Sequence, residues 1–200
     1  MFGISYETWK EICEMYFDIP QGSLKAYLQW FPFTKLSEDD KEKIKSNDFF
    51  DRYIDSGGFV IFPEVMRRSE NFVQKEDGSF RNASLVSPLL FLVIQAIGKE
   101  VSYRYVNERP SDIEVYYAGN YFLSRAEYKE DYDDFFRSLN LHANSYEYFI
   151  KTDINSFFGN INVNKLIERI NQICNKNCQR ISQYQLLLLK ELLQRCTKGT

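Results

Sequence analysis

The stretch SENFVQKEDGSFRNASLVSPLLFLVIQAIGKEVSYRYV, residues 69–106, decides the architecture of this chain. Its first half contains two short runs, SENFVQK and SFRNASL, whose Phe, Val and Leu content suits short strands. Between them stands Glu76-Asp77-Gly78. Asp-Gly supplies the positive φ angles that tight hairpins require, so the spacing predicts a β-hairpin with Lys75 and Arg81 flanking its turn. Beyond Pro88, LLFLVIQAIGKEVSYRYV is apolar on nearly every face through its first turns, which predicts a buried helix in spite of its β-branched members. Lys99 to Arg104, together with Arg67-Arg68, read equally as solvated faces or as contacts to a nucleic-acid backbone.

Upstream of the hairpin the pattern is helical. Trp9, Ile12, Cys13 and Tyr16 recur at spacings of three and four, predicting a helix from Ser5 or Thr8 to about Phe17, with Thr8-x-x-Glu11 as a capping box. Pro20 and Gly22 end it. A second helix is expected from about Gly22 to Trp30, and a third in LSEDDKEKIKS, with Ser37 as cap and acids in the first turn. At Gly57-Gly58 the texture changes, and GGFVIFP adds a candidate strand. Downstream, IEVYYAGNYF reads as extended and SRAEYKEDYDDFFRSL as a helix with Tyr128, Tyr132, Phe135 and Phe136 on its apolar stripe. A strand YEYFIKTDI follows, then a helix from about Val163 to Ile173 and a last one opened by Ser182-x-x-Gln185. The alternation predicts an α+β class, with helices packed on a small sheet.

Composition narrows the function classes. Hydrophobic residues make up 44% of the 200 positions and aromatics 16%, with 14 Tyr and 17 Phe, far too apolar for a disordered chain. A net charge of −3 means that any polyanion site is local. Cys13, Cys174, Cys178 and Cys196 lack zinc-ligand spacing, His142 is the single histidine, and reduced, buried thiols are the expectation. The amino terminus lacks a basic region followed by an apolar core, and no stretch approaches the ~18 apolar residues of a membrane span, which predicts a cytoplasmic protein.

A second stretch carries the candidate chemistry. In FIKTDINSFFGNI, residues 149–161, Asp153 ends a run of strand formers and precedes Phe157 and Phe158. A carboxylate at a strand's end can hold a hard cation such as Mg²⁺ together with substrate phosphates. The Ile154 carbonyl can add an oxygen, and Phe158 can lie across the floor of a nucleotide pocket, excluding a ribose 2′-hydroxyl. The bland readings are a structural aspartate capping a turn, core packing for Phe157, and edge-strand charge for Lys75 and Arg81. Asp131, Asp133 and Asp134 sit in a helical pattern that points them in different directions, so a solvated face is expected there.

Asp153-Ile154-Asn155-Ser156-Phe157-Phe158 resembles the first catalytic motif of the reverse transcriptase superfamily. Lys75 to Arg81, followed by Pro88 and Gln95, resembles the fingers hairpin and following helix of the same superfamily, in the expected order. The resemblance covers about residues 58–170. The helical N-terminal segment (residues 1–56), read from its own pattern, lies ahead of it and matches nothing in ordinary templated enzymes; the resemblance implies fingers with a β-hairpin and helices (57–148) and the first part of a palm (149–200). It also implies DNA polymerisation from deoxynucleoside triphosphates with Mg²⁺ or Mn²⁺. On matching positions Asp153 and the Ile154 carbonyl bind metal, Lys75 and Arg81 hold the triphosphate, and Phe158 gates the sugar. Phe157 and Gln95 are supporting positions.

Within the superfamily, EVYYAGNYFLSRAEYKEDYDDFF is most similar to the bacterial abortive-infection enzymes of phage defence. That branch implies DNA synthesis without a template, primed on a protein side chain, so that the product is covalently attached, and it implies a homo-oligomer. A templated retron-type enzyme is the alternative polymerase, and a non-catalytic nucleic-acid-binding or oligomerisation module the alternative from another class. Two-metal chemistry needs a further acidic position, and none follows Asp153 in the family's pattern. The expectation is therefore either a portion of a longer polymerase or a degenerate relative.

Overall fold

A computed structural model describes residues 4–17, 33, 35–55, 68–74, 78–105, 128–143, 145–148, 150, 161–176, 190 and 193–194. The described residues are mostly helical. In chain order they form α1 (Tyr6–Phe17), α2 (Glu38–Lys45), α3 (Asn47–Phe49) running into a π-helical segment (Phe50–Asp55), strands β1 (Arg68–Gln74) and β2 (Phe80–Val86), α4 (Pro88–Tyr105), α5 (Tyr128–Ala143) and α6 (Val163–Lys176).

The predicted stripe of α1 is its buried face: Trp9, Ile12 and Cys13 are fully buried, and Tyr16 and Phe17 nearly so. They pack with Phe33, Phe50, Ile54, Phe91, Leu92, Val93 and Ala96 into the main core. Aromatic rings join across the elements, with the Tyr16 and Phe91 rings edge to face at 4.9 Å and Trp9 stacked on Phe49 at 6.3 Å. Such pairs add about 0.5–1.5 kcal/mol each beyond the apolar area they bury.

Capping explains where the first helices begin and end. Ser5, not Thr8, starts α1, its hydroxyl accepting from the Thr8 amide at 3.1 Å. The expected Thr8-x-x-Glu11 box does not form, because Thr8 already lies in the first turn and Glu11 is drawn to Lys99. Ser37 caps α2 as expected, accepting from the Asp40 amide at 3.1 Å. At the other end of α2 the last carbonyls would lack partners. Trp9 Nε1 donates to the Ile44 carbonyl at 3.0 Å and the Tyr6 hydroxyl to that of Lys45 at 3.2 Å, so α1 serves as the C-terminal cap of α2.

Helix α4 is the central post. Leu90, Leu92, Val93 and Ala96 are buried, as its apolar run requires. Its far side meets α6, where Ile170 and Cys174 pack with Ile97 and Val101. Helix α6 opens on Asn162, whose side chain accepts from the Lys165 amide at 3.1 Å, and runs past the expected end at Ile173 to Lys176.

Two expectations need correction. Tyr146, Glu147, Tyr148 and Ile150, the described part of the expected YEYFIKTDI strand, are not in a strand. A strand needs a neighbour to satisfy its backbone, and among the described residues only β1 and β2 pair. The helix expected over SRAEYKEDYDDFFRSL is present from the first described residue, Tyr128, to Ala143, but Phe136 on its predicted stripe is exposed. The helix expected over residues 22–30, the strand GGFVIFP and the extended IEVYYAGNYF lie outside the described residues, as does the last helix apart from Lys190, Leu193 and Gln194, which are helical. No described helix is long and apolar enough to cross a membrane.

Candidate functional site

The hairpin forms as its residues dictate. β1 and β2 pair antiparallel, with Gln74 opposite Phe80, Val73 opposite Arg81 and Phe72 opposite Asn82, down to Arg68 opposite Val86. Gly78 has φ +80, the left-handed conformation that Asp-Gly was expected to supply. A Cβ there would meet nothing within 4 Å, so the demand for glycine is conformational and not steric.

Alternation along the strands puts Phe72, Gln74, Phe80 and Asn82 on one face. Phe72 is 72% exposed and Phe80 64%, so the outer part of this face presents two aromatic rings to solvent. At the inner end of the same face Val86 packs against the main core. Arg81 holds a register position on the alternate face.

A single residue, Ser87, separates β2 from α4, and its carbonyl accepts from the Phe91 amide at 2.9 Å in the first turn of the helix. The hairpin is thus mounted directly on the buried post. Gln95 lies on α4 and is half-buried, one turn before Lys99.

Of the residues singled out from the sequence, the backbone of Arg81 and the whole of Gln95 are described. Lys75, Asp153, Ile154, Phe157 and Phe158 lie outside the described residues, so the triphosphate, metal and sugar contacts expected of them are neither assembled nor dispersed. Asp133 is exposed on α5, in keeping with a solvated acidic face. Among the described residues no group of three His, Cys, Asp or Glu side chains could hold a metal ion.

Lys99 overturns its sequence reading. Neither a solvated face nor a nucleic-acid contact, it is 3% exposed and ion-paired with Glu11 at 2.5 Å. The signal was present in the spacing: Leu92, Ala96, Lys99 and Tyr103 follow at four, three and four, which puts the lysine on a stripe that begins with buried residues. A cation there must find an anion, because an unpaired buried charge is costly. Glu100, also buried, accepts from the Ser5 amide at 3.0 Å.

Cys13 and Cys174 are buried thiols outside any disulfide. Burial pushes the Cys13 thiol far above its ordinary range, with Lys45 pulling it down a little and Glu14 adding slightly to the rise. It is an inert core residue and not a nucleophile.

No protein-family model matches the chain, and no curated protein matches it in sequence.

Proposed function

We propose that this chain carries the fingers and the first part of the palm of a nucleotidyltransferase of the reverse transcriptase superfamily, acting in phage defence by abortive infection, with DNA synthesis that needs no template and is primed on a protein side chain. The observation that supports the reading is the hairpin over Arg68–Val86, turned at Gly78 and set one residue ahead of the buried helix α4. Lys75 and Arg81 flank that turn in the sequence, where a mobile ammonium and a bidentate guanidinium suit a triphosphate. Asp153 and the Ile154 carbonyl would hold Mg²⁺ or Mn²⁺, which supplies neutralisation of phosphate charge when bound. Phe158 would exclude a 2′-hydroxyl from the pocket floor. The reaction is in-line attack of a hydroxyl oxygen on the α-phosphorus: the new P–O bond forms, pyrophosphate leaves, and the hydroxyl proton passes to solvent.

The test is the intact mass of the purified natural protein before and after incubation with deoxynucleoside triphosphates and Mg²⁺. Growth by nucleotide increments is expected, and incorporation that requires added template RNA would instead mark a templated, retron-type enzyme. Asp153→Ala should lower incorporation by about a thousandfold or more, the equivalent of a lost interaction worth several kcal/mol, with an unchanged circular dichroism spectrum. Undiminished incorporation by that variant overturns the assignment.

The exposed Phe72 and Phe80 favour one second reading, a non-catalytic module that stacks nucleic-acid bases on the hairpin. Salt-sensitive binding of single-stranded DNA, lost in Phe72→Ala/Phe80→Ala and unaccompanied by any incorporation, distinguishes it.

A further inference from the structure

Helix α4 carries two buried ionic residues, Lys99 and Glu100, and they meet α1 and the serine that caps it. The Lys99 ammonium is 2.5 Å from Glu11 Oε2. The Tyr103 hydroxyl donates to that same oxygen at 3.2 Å, and the ammonium stands 5.4 Å from the centre of the Tyr103 ring. One residue along, Glu100 accepts from the amide of Ser5 at 3.0 Å. The two helices are therefore fastened by directional contacts at the N-terminus of α1 and at its middle, and toward its C-terminal end by apolar ones.

The distinction matters physically. Apolar packing through Ile12, Tyr16 and Phe91 favours contact but tolerates small slides and rotations, whereas an ion pair with shared hydrogen bonds holds one alignment. Buried ionic groups add little net stability over apolar replacements, and their best-attested use is to fix register.

What α4 carries gives that register a consequence. The hairpin joins α4 through Ser87 alone, Val86 at its base enters the core, and no described helix packs extensively along either strand. A seven-residue strand reaches roughly 23 Å, so a tilt of about 5° at its base moves its tip by about 2 Å.

We propose that the Glu11–Lys99–Tyr103 clasp is a positioning device that sets the register of α4 against α1 and, through it, the attitude of the β1–β2 hairpin. Its catalytic consequence rests on the nucleotidyl-transfer reading, in which Glu11 and Lys99 are positioning residues that act by placing the residues flanking the hairpin turn. A displacement of about 1 Å at a reacting group can cost roughly a hundredfold in rate.

Two readouts on the natural protein test this. Spin labels carried by non-canonical amino acids at Glu7 on α1 and Gln74 at the outer end of β1 report the attitude of the hairpin directly, whatever the protein's activity. Lys99→Met removes the charge at similar length and leaves Glu11 half-exposed and hydrated, while Lys99→Arg keeps the pair. We expect the label distance distribution to broaden or shift by about 2 Å or more in Lys99→Met and to stay at the wild-type profile in Lys99→Arg. Glu11→Gln should behave like Lys99→Met, and it decides the matter if the methionine variant does not fold. Superimposable distributions in wild type and both charge-removing variants overturn the proposal. In the incorporation assay the same variants should raise KM for deoxynucleotide by roughly tenfold or more, with Lys99→Arg restoring it. A wild-type protein that incorporates nothing would sink the functional reading alone, since the distance measurement still decides the clasp.

Discussion

At the scale of single residues, burial decides what each group can do. Trp9 is fully enclosed and its indole N–H closes the end of α2, so Trp9→Ala should remove about 3–5 kcal/mol of stability by denaturant unfolding, a large share of a total near 5–15 kcal/mol. Cys13 gives a signed prediction with pH. Its folded thiol titrates far above the unfolded one, so its stabilising contribution is complete below the unfolded value of 9.0 and is lost as pH rises beyond it, by up to about 1.4 kcal/mol per pH unit. The melting temperature of the wild-type protein should therefore fall more steeply between pH 9 and 10.5 than that of Cys13→Ala, and parallel profiles would contradict the burial argument. Alkylating reagents should reach Cys13 only after denaturation. Residue-scale chemistry was unevenly legible in the sequence. The stripe of α1 and the cap at Ser37 depend on neighbours within a few positions. The pairing of Lys99 depends on a helix whose contact with Tyr103 spans 92 positions, and no local pattern names that partner.

At the scale of elements, the hairpin shows why some of the fold can be read in advance. Turn chemistry and strand composition both act locally, and both point to the same loop. Gly78→Ala should weaken the hairpin by roughly 1 kcal/mol, because an alanine resists φ +80 although it has room. Gly78→Asn should cost less, since asparagine tolerates that region better. Hydrogen exchange of the β1 and β2 amides checks the order, and equal protection in all three proteins would show that the turn does not govern the ladder. The expected strand before Asp153 illustrates the opposite case. Tyr146, Tyr148 and Ile150 have the side chains of a strand, yet strand formation needs a partner that composition cannot supply. The same dependence on distant chain left the candidate metal and sugar contacts legible only as a motif. Their residue types and order can be read, but their meeting point is a property of tertiary structure.

At the scale of the whole molecule, α4 joins the core shared with α1 and α3 to the smaller cluster shared with α6 through Ile97, which packs against both. Leu92→Ala should cost about 2–5 kcal/mol, and it should lower the protection of α1 amides as well as those of α4, because the lost side chain sits in the core common to both. Selective loss in α4 alone would show that the helical preface stands by its own packing. That dependence has a temporal side. Ser5 and Glu100, joined in the finished fold, are 95 positions apart. At about 5–20 residues per second of synthesis, the preface exists for roughly 5–20 s before its buttress has been made. During that interval Trp9, Ile12 and Tyr16 form a sticky stripe on a nascent chain, and a ribosome stalled before Pro88 should display a segment that recruits holdase chaperones, whereas one stalled well beyond Tyr105 should release them.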